Sequence, residues 1–159
     1  ENQTRLGAWT LKEGAELNNS IYTNHSRQRL YGSHSGTLSI YETSLNIFGW
    51  GAFFSSNYTT ADKRLALSAG IRMDGNTYNR KMRQLWKQFS PRLSASYKLS
   101  EQWTLSGSTG LYHQLPPYTA LGYKDNEEQY LNKNLKYMQV FESSLGVDWH
   151  LQDLSLIHI

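Results

Sequence analysis

Between Arg64 and Tyr118 apolar and polar residues alternate with a period of two through three successive segments. Leu65, Leu67, Ala69, Ile71 and Met73 share one face, and Ala66, Ser68, Gly70, Arg72 and Asp74 share the other. Leu93, Ala95, Tyr97 and Leu99 alternate with Arg92, Ser94, Ser96 and Lys98, and Trp103, Leu105 and Leu111 alternate with Thr104, Ser106, Ser108 and Tyr112. Successive side chains of a strand point to opposite faces, so this pattern predicts strands and not helices. Only Ser100, Glu101 and Gln102 part the second segment from the third, which is hairpin length. The polar face carries charge in the body of a strand (Arg72), whereas the apolar face carries none. A soluble sandwich buries its apolar face against a second sheet. A transmembrane barrel turns that face to lipid and the polar face to a wet lumen.

Composition narrows the choice without settling it. The 159 residues include no cysteine, which removes disulfides and thiolate zinc sites. A net charge of +3, with lysine and arginine scattered, offers no stripe for nucleic acid, and none is expected as a partner. No apolar run approaches the roughly 20 residues of a membrane helix. Mean hydropathy is −0.63 while aromatics make up 13%, with tyrosine the commonest. A barrel wall combines the two, because only alternate residues face lipid. An ordinary soluble β protein is compatible with the same numbers.

In chain order, strands are expected at Trp9 to Tyr22, Leu45 to Tyr58, Arg64 to Asp74, Phe89 to Leu99, Trp103 to Gln114 and Tyr137 to Leu151. Thr23 to Thr43 reads as a long polar loop, with a strand extension at Thr37 to Tyr41. Gly75 to Lys87 and Leu115 to Asn134 read as two further long loops, and Thr59 to Lys63 as a short turn. Long and short connections thus alternate, the asymmetry of outer-membrane barrels, whose short turns face the periplasm. Tyr58, Trp103 and Trp149 then fall in the inner aromatic girdle, and Leu67 falls near the membrane midplane. About six strands cannot close a barrel, since the smallest have eight, so a segment of a larger barrel is expected.

The stretch SAGIRMDGNTYN followed by FSPRLSASYKLSEQWTLSGSTGLYHQLPPY resembles the middle of the barrel of a TonB-dependent outer-membrane receptor. The resemblance rests on Gly70-Ile71-Arg72-Met73-Asp74, Ser90-Pro91-Arg92-Leu93, and Gly110-Leu111-Tyr112-His113-Gln114 leading into Pro116-Pro117-Tyr118. Gly49-Trp50-Gly51-Ala52-Phe53 and Leu145-Gly146-Val147 resemble the flanking strands, so that it covers Trp9 to Leu151. It implies a barrel of about 22 strands around a plug domain. It also implies uptake of a bulky nutrient (siderophore, cobalamin or glycan) across the outer membrane of a Gram-negative bacterium. The implied partners are outer-membrane lipid and the TonB energy-coupling complex, reached through a plug not read in this chain; a surface lipoprotein is a further partner to consider. The barrel segment is assigned residues 1–153. Residues 154–159, LSLIHI, resemble the translated end of a sequencing adapter. Two alternatives stand beside this reading: a small eight-stranded structural or adhesive barrel, and a soluble β-sandwich binding module.

For the site, Arg72, Asp74 and Arg92 are expected to point into the lumen, either touching a plug and the solute path or pairing with one another. Tyr112, Gln114, Tyr118, Tyr123 and Tyr130 form a candidate substrate platform, because aromatics and amides suit a large polar solute. A solvated, tyrosine-rich interface is the plainer reading of the same residues. No catalytic residue is assigned: no G-x-S-x-G elbow occurs, and His113 falls on the expected lipid face. No cofactor or metal is expected. His25, His34, His113, His150 and His158 lack ligand spacing, and Asp125, Glu127 and Glu128 read as solvated loop carboxylates.

Overall fold

A computed structural model gives the fold and describes residues 1–30, 37–125 and 129–150. Seven strands form one antiparallel sheet in chain order: β1 (Asn2–Leu6), β2 (Trp9–Leu30), β3 (Thr37–Thr59), β4 (Leu65–Asn76), β5 (Ser90–Lys98), β6 (Trp103–Gln114) and β7 (Met138–Trp149). Among the described residues helix is confined to a 3₁₀ turn at Leu85–Gln88 and one α-turn at Tyr118–Leu121. Neither edge strand, β1 nor β7, has an outer partner among the described residues, so the wall is open.

The alternation becomes two chemically distinct faces. Leu17, Ile21, Leu93, Phe141, Leu145 and Val147 stand outward and exposed, Leu145 by 89%. Exposed apolar side chains gathered on one face mark a surface that a membrane or another protein covers. The opposite face bears the hollows of the wall, lined by Ser55, Ser68, Ser94 and Ser108 together with Arg72 and Arg92. At the short-turn end Trp9 lies 4.8 Å from Tyr58 and Trp103 stacks at 5.8 Å on Trp149, each pair directly cross-strand.

The turns at that end are tight. Gly7 takes φ +60° between β1 and β2, a conformation a side chain would strain. Between β3 and β4 the Asp62 carboxylate accepts from the Thr60 hydroxyl and the Arg64 amide. These two bonds hold its pKa below the ordinary carboxylate value. Ser100 Oγ accepts from the amides of Gln102 and Trp103 at 3.2 Å to fold the β5–β6 turn.

Three expectations are corrected. Thr23 to Leu30 and Thr37 to Thr43 are strand and not loop: β2 and β3 pair without interruption from Trp9↔Tyr58 to Leu30↔Thr37, and the part of the expected loop between them lies outside the described residues. Since β4 stops pairing with β3 at Gly49↔Asn76, the outer parts of β2 and β3 project beyond the wall as a two-stranded ribbon. A further strand, β1, precedes the first expected one and pairs with β2 from Asn2↔Glu13 to Leu6↔Trp9. Leu67 is not near the midplane, because its direct cross-strand partner is Tyr58 of the aromatic belt. Ile71 and Leu93, farther from the short turns on the same face, occupy the middle of the band.

The buried apolar residues lie at the long-connection end and not in the wall. Ile47, Met82 and Leu121 are at most 3% exposed, with Leu45, Tyr78, Leu115, Tyr118, Leu135 and Tyr137 packed around them. Ile47 comes from the ribbon, Met82 from the β4–β5 connection and Leu121 from the β6–β7 connection. The two connections therefore fold together as a cap against the base of the ribbon.

Candidate functional site

Three groups of side chains occupy the inner face, at successive heights from the wall to the cap. The lowest is a charge cluster. Arg72 donates through Nε and Nη2 to both carboxylate oxygens of Asp74 at 2.8–3.0 Å, and its Nη2 also reaches Glu16 Oε2 at 3.0 Å. Register explains the meeting: Gly51 of β3 pairs with Glu16 on one side and with Asp74 on the other. A Cβ on Gly51 would come within 2.6 Å of Asp74 Oδ1 and 3.3 Å of Arg72 Nη2. The glycine thus leaves the space that the cluster fills, with bidentate geometry that fixes the guanidinium.

Beside this cluster is a hollow of about 530 Å³ bordered by Phe53, Arg72, Arg92, Ser94, Ser108 and Tyr112. The Arg92 guanidinium lies 4.6 Å from the centre of the Tyr112 ring, a cation–π contact. That ring leans back over Gly110, where a Cβ would meet it at 3.0–3.2 Å. The ring of Phe53 lies in the same way across Gly14. Two aromatic faces and two guanidinium groups therefore border one wet cavity, a lining suited to stacking on and hydrogen bonding to a polar solute.

Above it a second hollow is bordered by Asn18, Asp74, Asn76, Gln114, Tyr118 and Tyr137. Gln114 reaches this space, and Tyr118 stacks at 5.9 Å on Tyr22 of the ribbon. The candidate platform is thus divided. Tyr112, Gln114 and Tyr118 border inner hollows, whereas Tyr123 and Tyr130 serve the joint between cap and ribbon. Tyr123 leans on Tyr41 at 6.4 Å, and Tyr130 donates to the Ser44 carbonyl at 2.7 Å with Lys124 over its ring.

That joint is dense in hydrogen bonds. Tyr41 and Thr43 both donate to the Gly122 carbonyl, at 2.8 and 2.7 Å. The Tyr78 hydroxyl sits 2.9 Å from the carbonyls of Leu121 and Asn132, and Asn132 returns a bond to Ala120 O at 2.7 Å. Asn76, 2% exposed, donates to the Tyr137 hydroxyl at 3.0 Å and accepts from the Tyr78 amide at 2.9 Å. Burial raises the pKa of Tyr78 and of Tyr137 above the usual tyrosine value.

At the rim, His113 Nδ1 is 3.0 Å from Ser90 Oγ. Ser90 is 2% exposed and its hydroxyl also bonds to the Gln88 carbonyl, so the pair presents no accessible nucleophile. Among the described residues no group of three His, Asp or Glu side chains could hold a metal ion. Glu127, Glu128, His34, His158 and the segment 154–159 lie outside the described residues.

A scan of the chain against protein families matches the TonB dependent receptor-like, beta-barrel family over residues 2–157. The chain belongs to this family. No curated protein and no solved structure matches it. The TonB-dependent receptor barrels form a family of transporters and not of enzymes. Membership implies outer-membrane transport, the Gram-negative outer membrane as its place, and TonB and that membrane as partners. The open antiparallel wall and its two faces agree with a portion of such a receptor barrel.

Within the receptor wall, two inner-face residues were not singled out from sequence: Glu16, the second partner of Arg72, and Phe53, the second aromatic of the hollow. Both were legible as inward-facing from their parity alone. That they meet Arg72 and Gly14 depends on strand register, which no local pattern encodes.

Proposed function

We propose that this segment forms wall and outer vestibule of a TonB-dependent importer for a bulky polar nutrient such as a siderophore, cobalamin or glycan. The observation that carries the reading is the hollow between Phe53, Arg92 and Tyr112, which sets aromatic faces beside fixed cations on the wet side of the wall. Arg72 pairs locally with both Asp74 and Glu16, one cation against two carboxylates, so the cluster presents a rigid polar surface with an excess of negative charge to the plug. Arg92, which among the described residues is held by the Tyr112 ring and by no hydrogen bond or ion pair, offers its N–H donors to solute or plug. Tyr112 and Gln114 contact solute, whereas Tyr123 and Tyr130 hold the cap in place. The chain performs no chemistry on its cargo, and energy arrives through TonB by way of the plug.

Deleting Tyr118 to Tyr130 is a poor test, because it removes the buried Leu121 and dismantles the cap. Point substitutions in the intact receptor are cleaner. Cells carrying it are offered labelled ferric siderophores, cobalamin and oligosaccharides, with and without TonB. One class is expected to enter only when TonB is present, and Tyr112→Ala is expected to lower its binding about tenfold or more, as for loss of a buried aromatic anchor. No TonB-dependent uptake of any class, or unchanged binding in Tyr112→Ala, would count against the reading.

A further inference from the structure

The outward face carries a second chemistry at its upper rim. A pocket of about 300 Å³, at the small end of ligand-site sizes, is bordered by Lys81, Lys87, Lys136, Gln88, His113 and Gln139. Lys81 and Lys87 come from the β4–β5 connection and Lys136 from the β6–β7 connection, so the cap brings the three ammonium groups to one place. Among the described residues no Asp or Glu borders the pocket, and none of the three lysines has an ion-pair partner.

Its height is set by the register. His113 and Gln139 are cross-strand partners two residues above the Leu111↔Phe141 pair, and Phe141 is 72% exposed in the apolar band. Phe89, in step with the outward Leu93, is 42% exposed, and Trp86, next to Lys87, is 71% exposed. Exposed aromatics beside lysines immediately above an apolar band mark the membrane–water interface, where both ring and ammonium reach their preferred surroundings. At the long-connection end this interface is that of the outer leaflet.

We propose that this pocket binds a phosphate-bearing headgroup of an outer-leaflet lipid, with Lys81, Lys87 and Lys136 as its cationic ligands. The inference rests on the outer-membrane barrel reading. Basic pockets between transmembrane helices bind anionic lipid headgroups through clustered lysines, and the same charge pairing is available to these three ammonium groups. The site faces away from the lumen; His113 and Tyr137 border both it and the inner hollow. Headgroup binding there would brace the cap from outside without entering the solute path.

The test uses the intact receptor in detergent or nanodiscs, with native mass spectrometry of titrated lipid. Bisphosphorylated lipid A is expected to bind the wild type. The triple variant Lys81→Gln, Lys87→Gln, Lys136→Gln should bind it about a hundredfold more weakly, each lysine near the interface being worth about fivefold. Dephosphorylated lipid A should bind the wild type as weakly as the phosphorylated form binds the variant. Equal binding by wild type and variant, both still migrating as folded, heat-modifiable barrels, overturns the site and leaves the transporter reading intact. Competition by inorganic phosphate as potent as that by lipid A overturns the lipid as occupant. A receptor that is soluble and monomeric without detergent overturns the barrel and this site together.

Discussion

Two glycines on the inner face set the positions of charged side chains. At Gly51 the missing Cβ admits the ion cluster, so Gly51→Ala should force Asp74 and Arg72 apart. Overpacking of this kind costs about 1–3 kcal/mol, to be read from urea unfolding of the intact receptor in lipid vesicles. Gly110→Ala should be cheaper, because what it meets is the movable ring of Tyr112. On the outer face the position of a charge along the strand decides its cost. Leu93→Arg should cost about 2–4 kcal/mol, as a cation at the midplane does, while Leu67→Arg, in the row of Tyr58, should cost about 0–1 kcal/mol. Refolding into vesicles measures both, and equal penalties would show that the belt lies elsewhere.

At the scale of elements, the ribbon and the cap hold each other. Among the described residues the outer parts of β2 and β3 form a ladder only with one another, and such a ribbon would be marginal alone. The cap covers Ile47 of the ribbon and bonds to Tyr41, Thr43 and Ser44. Tyr78→Phe removes the one hydroxyl proton that the Leu121 and Asn132 carbonyls share, at about 1–1.5 kcal/mol in all. Amide exchange at residues 118–125 should quicken roughly tenfold, with the wall amides unchanged. The same tyrosine predicts a pH dependence. Its pKa is raised in the folded protein, so its contribution is complete below pH 10.0 and is lost as pH rises through the higher folded value. Exchange of the cap should therefore quicken in alkali in the wild type, and less steeply in Tyr78→Phe.

At the scale of the molecule, the seven strands among the described residues leave both edges of the sheet open. Produced alone in detergent, the segment should fail to give a heat-modifiable barrel and should associate through β1 and β7, which gel mobility with and without boiling will reveal. Alternation over Leu65 to Asp74, Arg92 to Leu99 and Trp103 to Tyr112 by itself determined a wall with one lipid face and one wet face, because lipid contact imposes a period of two. The same reasoning missed the ribbon: beyond the membrane both faces of β2 and β3 meet water or the cap, so Thr23 to Thr43 carries no alternation to read. Parity also placed Arg72, Asp74, Arg92 and Tyr112 on the inner face. Only the tertiary structure decided that Glu16 meets Arg72 across Gly51, that Tyr112 is held by Arg92, and that Tyr123 and Tyr130 belong to the cap joint and not to the hollow. Those outcomes depend on strand register and on where two connections fold back, and both are set by contacts between residues distant in the chain.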